Sequence, residues 1–391
     1  MAAIVELLLA FLVEAFRELQ QWWLGRARLR ADANTGSSEV ARSALSRTPE
    51  IEPLVAELLV RHASRHVGVV VGVLGAGQTW VTGWGTAGSD GKPPAAADTI
   101  FEIGSVTKVF TATLLAGMVE DGLVALEDPV QRYLPAGVEL PVRGRPTTLG
   151  DLATHTAGLP RLPHAFFLRS VRHRRNPYAW FTVDDLYAGL PATRLRREPG
   201  GRPRYSNLGY GLLGHVLALR AGHAYEELVQ QRICRPLGLA DTCVGVPPAA
   251  RRRFAQGHNR RGRPVPHWEL PVLAGAGALR STVADLLLFL RLQLGEGEPA
   301  LVRAAALTHV RRVRHRGVAV GLGWTRLPLR GTEHELLFHN GGTGGFRSFA
   351  GFVPATRTAV VVLSNSARSV DALGFRILER IAPTSAFRVR A

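Results

Sequence analysis

The chain has 391 residues, 46% hydrophobic and 20% charged, a balance that suits one large catalytic unit of two lobes and excludes a disordered, collagen-like or fibrous protein. Its formal charge is +17, from 48 Lys+Arg against 31 Asp+Glu, and only Lys92 and Lys108 among the basic residues are lysines. Two cysteines, Cys234 and Cys243, exclude a disulfide scaffold; two separate buried thiols are favoured over a single bridge, and neither redox nor zinc chemistry is indicated.

Residues 1–30 open the chain with a helical pattern. Ile4, Leu7, Leu8, Phe11, Leu12, Ala15, Phe16, Leu19, Trp22 and Trp23 recur at helical spacing, with Glu6, Glu14, Arg17 and Gln21 mainly on the other side. No Lys or Arg precedes the apolar stretch, so it is not a standard secretory signal peptide, and its apolar runs are short for a membrane-spanning helix. Two readings stand. One is an amphipathic helix on a membrane surface, with Trp22 and Trp23 as anchors and Arg26, Arg28 and Arg30 just beyond; the other is a helix packed on protein. The matching locations are the membrane, as a peripheral or anchored protein, or the cytoplasm. The small polar residues of 31–50 read as a linker.

From Ile51 a helix is expected to about His62, followed by strands at 68–74 and 79–83 joined by a Gly-rich turn. A helix begins near Ser105 and runs to about Asp121. The stretch 121–316 mixes short helices with Pro/Gly loops and has helical patterns at 208–220 and 283–292. Strands return at 318–327, 334–339, 346–353 and 358–364, and a last helix covers 370–381. Strands at both ends with helices between predict an α+β domain over 51–391. Its antiparallel sheet would be built by 51–120 and 317–391, with a helical lobe, 121–316, inserted.

Several motif matches fail on context. Gly83-Trp-Gly85-Thr-Ala-Gly88 follows a strand, but the next residues, SDGKPPAAADT, form a loop where a dinucleotide site needs a helix. His334 and His339 are five apart in a strand-like segment and point to opposite faces, so they do not make a zinc-protease pair. No G-x-S-x-G occurs. The arginine clusters at 169–175, 251–253 and 311–316 lie far apart without a basic–aromatic pattern, so nucleic-acid binding is not expected.

Both lysines follow a serine by three residues, but only Ser105-Val-Thr-Lys108 opens a helix; Ser89 to Lys92 lies in a Gly/Pro loop. At that spacing the two side chains share a helical face, so the lysine amine can reach a hydroxyl that is a weak nucleophile unaided. Downstream, Tyr205-Ser-Asn207 sits in a loop before a helix, where the tyrosine could shuttle a proton and the asparagine amide could hold a substrate. His339-Asn-Gly341-Gly342-Thr-Gly-Gly345 lies between two strands, and its glycines permit close backbone approach to a bound molecule.

With DTIFEIGSVTKVFTATLLAGMVEDGLVALEDPVQRYLP, TTLGDLATHTAGLP, EPGGRPRYSNLGYGLLG and HNGGTGGFRSFAGFVP, residues 51–385 resemble the serine β-lactamase and penicillin-binding superfamily. The likeness is to its class C β-lactamase, D-Ala-D-Ala carboxypeptidase and esterase branch. The resemblance implies a β-lactamase/transpeptidase-like fold, a five-stranded antiparallel sheet flanked by helices with an all-helical lobe. It implies Ser105 as the acylated nucleophile and Lys108 and Tyr205 as its proton-handling partners, with Tyr205 either ionised or merely well oriented. It also implies Asn207 as a substrate ligand, and the backbone N–H groups of Ser105 and Gly342 as an oxyanion hole.

One departure stands out. Where class C β-lactamases have Lys-Thr-Gly, this chain has His339-Asn-Gly341, placing a residue of ordinary pKa near 6.5 where a permanent cation would hold a carboxylate. Little β-lactamase turnover is therefore expected. The expected activity is a serine hydrolase for a small ester, amide or peptide, needing no metal and no organic cofactor. A D,D-carboxypeptidase acting on cell-wall peptides is the alternative, and a catalytically silent scaffold is the rival from another class. His155 is expected to shape its loop rather than to react, and Arg347 to be a surface residue.

Overall fold

The computed structural model describes residues 51–382 apart from 89–94, 164–165, 167–169, 171–172, 174, 316 and 331; the helix expected over 1–30 and the linker over 31–50 lie outside the described residues. The Val-rich β1 (Gly68–Gly75) is buried along its whole length, as a strand must be when helices cover both faces of its sheet. It turns into β2 (Gln78–Gly85) through Ala76 and Gly77, both at positive φ (50° and 74°), the conformation that a two-residue hairpin of type I′ demands. Its other edge takes β10 (Thr358–Ser364) from the far end of the chain, with Val69 opposite Ser364.

The full order of the sheet is β2-β1-β10-β9-β8-β7-β6-β5, antiparallel throughout. Here β9 is Arg347–Val353, β8 Glu335–Gly342, β7 Thr325–Pro328, β6 Val318–Val320 and β5 Val313–His315. The five long strands are the expected sheet, and the three short ones extend it beyond β8. The single strand expected at 318–327 is in fact the hairpin β6–β7. Gly323, at φ +76°, turns the chain where a Cβ would stand 3.0 Å from the Ala112 side chain and 3.2 Å from the Lys108 carbonyl. Strand β5 was not expected from the Arg-rich run around it. A separate two-stranded ladder joins β3 (Phe101–Glu102) to β4 (Arg280–Ser281).

Cross-strand register shows what covers each face. Gly72, Val361 and Ala350 are successive partners and so share a face; a Cβ on Gly72 would run into Val283 and Leu287 of the helix Val283–Gln293. Gly351, one residue on, points the other way, toward Leu378 of the C-terminal helix Asp371–Ile381, which packs with the first helix, Ile51–Ala63. In chain order the helices that position the site are α1 (Ile51–Ala63), α2 (Thr107–Glu120), α3 (Asn207–Ala221), α4 (Val283–Gln293), α5 (Pro299–His309) and α6 (Asp371–Ile381). Helix α4 falls within the 121–316 stretch expected for the helical lobe, yet it packs on β1, β9 and β10.

Helix α2 is buried on nearly every side, between α3, α5 and the short helix Ala274–Gly277, and its Phe110 stacks on Phe289 of α4 at 4.0 Å. A helix apolar all round belongs at the centre of a domain, which is where it carries Lys108. Cys234 and Cys243 are both buried and unbridged. The glycines at 83, 85 and 88 close β2, and a Cβ at Gly83 would stand 2.0 Å from the Ala95 carbonyl, so close backbone passage accounts for that glycine. No helix of the described residues is long and apolar enough to cross a membrane.

Candidate active site

Ser105 sits in a 3-10 turn, Gly104–Val106, that runs directly into α2. Gly104 has φ +49°, and a Cβ there would lie 2.6 Å from the backbone nitrogen of Gly342; one on Gly341 would lie 2.9 Å from the nitrogen of Ser105. Only glycine at both places lets the turn lie flat against the end of β8. The same contact brings the backbone nitrogens of Ser105 and Gly342 to one seam, and Ser348 Oγ donates to the Ile103 carbonyl across it at 2.7 Å. His339 and Gly341 pair with Ala350 and Ser348, so both face the side of the sheet that α4 covers.

Lys108 is fully buried, and its Nζ lies 3.0 Å from Ser105 Oγ, 3.0 Å from Asn207 Oδ1 and 2.5 Å from the Ala276 carbonyl. Burial without a carboxylate partner holds its pKa well below the usual 10.5, and the Arg161 guanidinium lowers it further. All three neighbours can accept from Lys108 Nζ. In the neutral amine that the lowered pKa favours, Ala276 O and Asn207 Oδ1, which can only accept, take the two N–H bonds and leave the lone pair for the Ser105 hydroxyl proton.

Tyr205 O–H donates to Ser105 Oγ at 2.6 Å. Burial pushes its pKa up to about 12, so of the two states expected for this phenol the protonated one prevails. Asn207 is fixed as the first residue of α3, whose N-cap Ser206 accepts from Gly209 N at 2.9 Å; the Asn207 amide bridges Lys108 and the Tyr178 hydroxyl, 3.3 Å away.

His155 shapes this arrangement without touching Ser105. It adopts φ +61°, accepts from Ser206 N at Nδ1 (3.2 Å), and packs its ring 4.6 Å from Tyr205 and 4.9 Å from Tyr210. Its loop is held by Asp151, which caps a short helix, takes a bidentate bond from Arg145 and accepts from Thr156. Burial holds the pKa of its imidazole well below the ordinary 6.5.

His339 is buried too, and its Nδ1–H donates to the Asn340 carbonyl at 2.7 Å. Burial is the leading cause that lowers its pKa to about 3. This end of β8 therefore presents a neutral ring at neutral pH. Arg347 donates to the carbonyls of Thr343 and Phe346 and braces the turn.

The structure thus brings together Ser105, Lys108, Tyr205, Asn207, His339, Gly341 and Gly342. It adds participants that no motif marked. The Ala276 carbonyl completes the lysine's partners, and no side-chain pattern could reveal it. Tyr178 continues the hydrogen-bond chain, and its ring lies 5.5 Å from Trp268, whose indole would meet a Cβ on Gly344. Arg161 lies with its guanidinium 5.3 Å from the centre of the Tyr205 ring, one arginine among many in this sequence.

The fold is β-lactamase/transpeptidase-like and the class is serine hydrolase. The chain belongs to the Beta-lactamase family, whose model matches residues 51–380. It is 29% identical to a beta-lactamase of Pseudomonas fluorescens over 76% of this chain and 88% of that one. It is 30% identical to the D-alanyl-D-alanine-carboxypeptidase/endopeptidase AmpH of Escherichia coli (strain K12), over 69% of this chain and 72% of AmpH. Among solved structures, a class C beta lactamase from Rhodobacter sphaeroides superposes with a TM-score of 0.72 at 28% identity, covering 85% of this chain and 98% of its own.

Proposed function

We propose that Ser105 is the nucleophile of an acyl-enzyme hydrolase that cleaves a small ester or peptide amide and turns over β-lactams poorly. The observation that carries this reading is the coordination of Lys108: a fully buried amine with two obligate acceptors and one hydroxyl. In acylation the Lys108 amine takes the Ser105 proton while Oγ bonds to the substrate carbonyl carbon. The resulting oxyanion lies between the N–H groups of Ser105 and Gly342. Tyr205, protonated and 2.6 Å from Oγ, gives its proton to the leaving oxygen or nitrogen as that bond breaks, and is restored by the Lys108 ammonium. In deacylation water enters in place of the leaving group, and the same groups work in reverse. Asn207 holds the substrate carbonyl or amide, and His339 accepts a hydrogen bond as a neutral ring.

A D,D-carboxypeptidase is the second reading, supported by the 30% identity to AmpH. The neutral His339 weighs against strong recognition of a C-terminal carboxylate at that position, which ranks the ester or neutral amide first.

Intact mass after exposure to a fluorophosphonate probe tests the nucleophile. One adduct on the wild type and none on Ser105→Ala is the expected result. A folded wild type that takes up no probe would remove the hydrolase reading of Ser105 and leave a silent scaffold.

A further inference from the structure

The side chain of Arg161 is half buried, and its Nε and Nη1 are shielded from water with no acceptor among the described residues. A guanidinium keeps its proton at any physiological pH, so a shielded donor edge without an acceptor is costly. The group is nevertheless well placed. Its guanidinium sits over the Tyr205 ring at 5.3 Å, and its backbone carbonyl accepts from the N–H groups of Asn207 and Leu208 at the start of α3. It therefore stands with Asn207 and Tyr178, on different elements from the β8 residues His339 to Gly342. Because His339 is neutral, that strand supplies no cation. The fork of a guanidinium matches a carboxylate in shape and charge.

We propose that Arg161 is a specificity residue that receives a carboxylate on the acyl half of the substrate. The substrates of this site are then esters or peptides whose acyl portion bears an anionic side group. The assignment rests on the hydrolase reading for the words "acyl half", but recognition of the anion can be measured without turnover. An alternative role for Arg161, bracing Tyr205 through its ring alone, would show no dependence on ligand charge.

The test is calorimetric titration of the Ser105→Ala protein with N-succinyl- and N-succinamoyl-D-alanyl-D-alanine amide, which differ only in an acyl-side carboxylate against a carboxamide. The charged ligand should bind at least about tenfold more tightly. Arg161→Gln should erase that ratio, and Arg161→Lys should keep part of it. Equal affinities in the Ser105→Ala protein, absent binding included, would overturn the proposal, as would a ratio that survives Arg161→Gln and so belongs to the basic surface at large. Failure of the hydrolase reading would register separately, as a missing probe adduct on the wild type.

Discussion

Around the ring of Tyr205 the protein treats two cations in opposite ways. Lys108, fully buried, has an acceptor or a hydroxyl at every position of its nitrogen, and its surroundings suppress its charge. Arg161, half buried, has two nitrogens with no acceptor among the described residues. The reacting groups are thus complete before any substrate arrives, while the recognising group is complete only afterwards. Completing the reactive cluster in advance removes reorganisation from the chemical step. An arginine left incomplete puts its interaction free energy into choosing the substrate.

The sharpest way to break this contrast is to alter Lys108. Lys108→Met keeps most of the buried volume and removes the base, so kcat/KM for an ester should fall by about 1000-fold with the fold retained. Lys108→Arg should fail almost as badly, because a guanidinium supplies no lone pair. Substantial activity in Lys108→Arg would show that charge, and not a neutral amine, is what the site needs. The pH profile carries the same argument. Protonation of Lys108 destroys the base, so activity should rise with pH along a limb set by its folded pKa, well below 10.5. Tyr205, raised to about 12, should add no limb below pH 10.

A smaller loss is expected at Gly104. The Cβ of Gly104→Ala would press on the Gly342 nitrogen from 2.6 Å in a backbone conformation that alanine resists. The turn must move away from β8, which separates the two donors of the oxyanion seam. Since one such donor is worth about 100-fold or more in kcat, a drop of about that size with KM little changed is expected from steady-state kinetics. An unchanged kcat would mean that the seam does not hold the oxyanion.

Much of this reactive cluster was legible in the sequence, because local rules carry it. Ser105 and Lys108 share a face by helical spacing, Asn207 opens a capped helix, and the glycines of 341–345 mark a close approach. The long strands and α1, α2, α3, α4 and α6 were legible for the same reason, since periodicity and turn residues are local signals. The hairpin inside 318–327 was not, because what bends it is the passage of Gly323 beside α2, a tertiary contact. Ala276 acts through its carbonyl, which every residue has. Arg161 was hidden by abundance, and its distinction is a lack of partners that only the packed structure exposes. The sheet-facing place of α4 likewise depends on Gly72 leaving room for Val283 and Leu287.

The mildest change sharpens the contrast from the β8 side. His339 has its pKa lowered to about 3, below the ordinary 6.5, so the ring is neutral from pH 5 to 8 and gains no charge as pH falls through 6.5. Affinity for a carboxylate on the leaving half of the substrate should therefore be flat across that range. Replacing the ring by an ammonium, His339→Lys, should place a cation beside the leaving group and lower KM several-fold for substrates carrying a carboxylate there. It should leave the preference for an acyl-side carboxylate with Arg161. The two preferences are separable because different elements bear them, β8 in one case and, in the other, the loop after the short helix Leu149–Ala153, whose Arg161 carbonyl meets the start of α3. Matched ester substrates, each with a carboxylate on one half or the other, would measure both in a single set of kinetics. If His339→Lys shifted neither preference, charge at position 339 would not be what distinguishes this chain from relatives with lysine there.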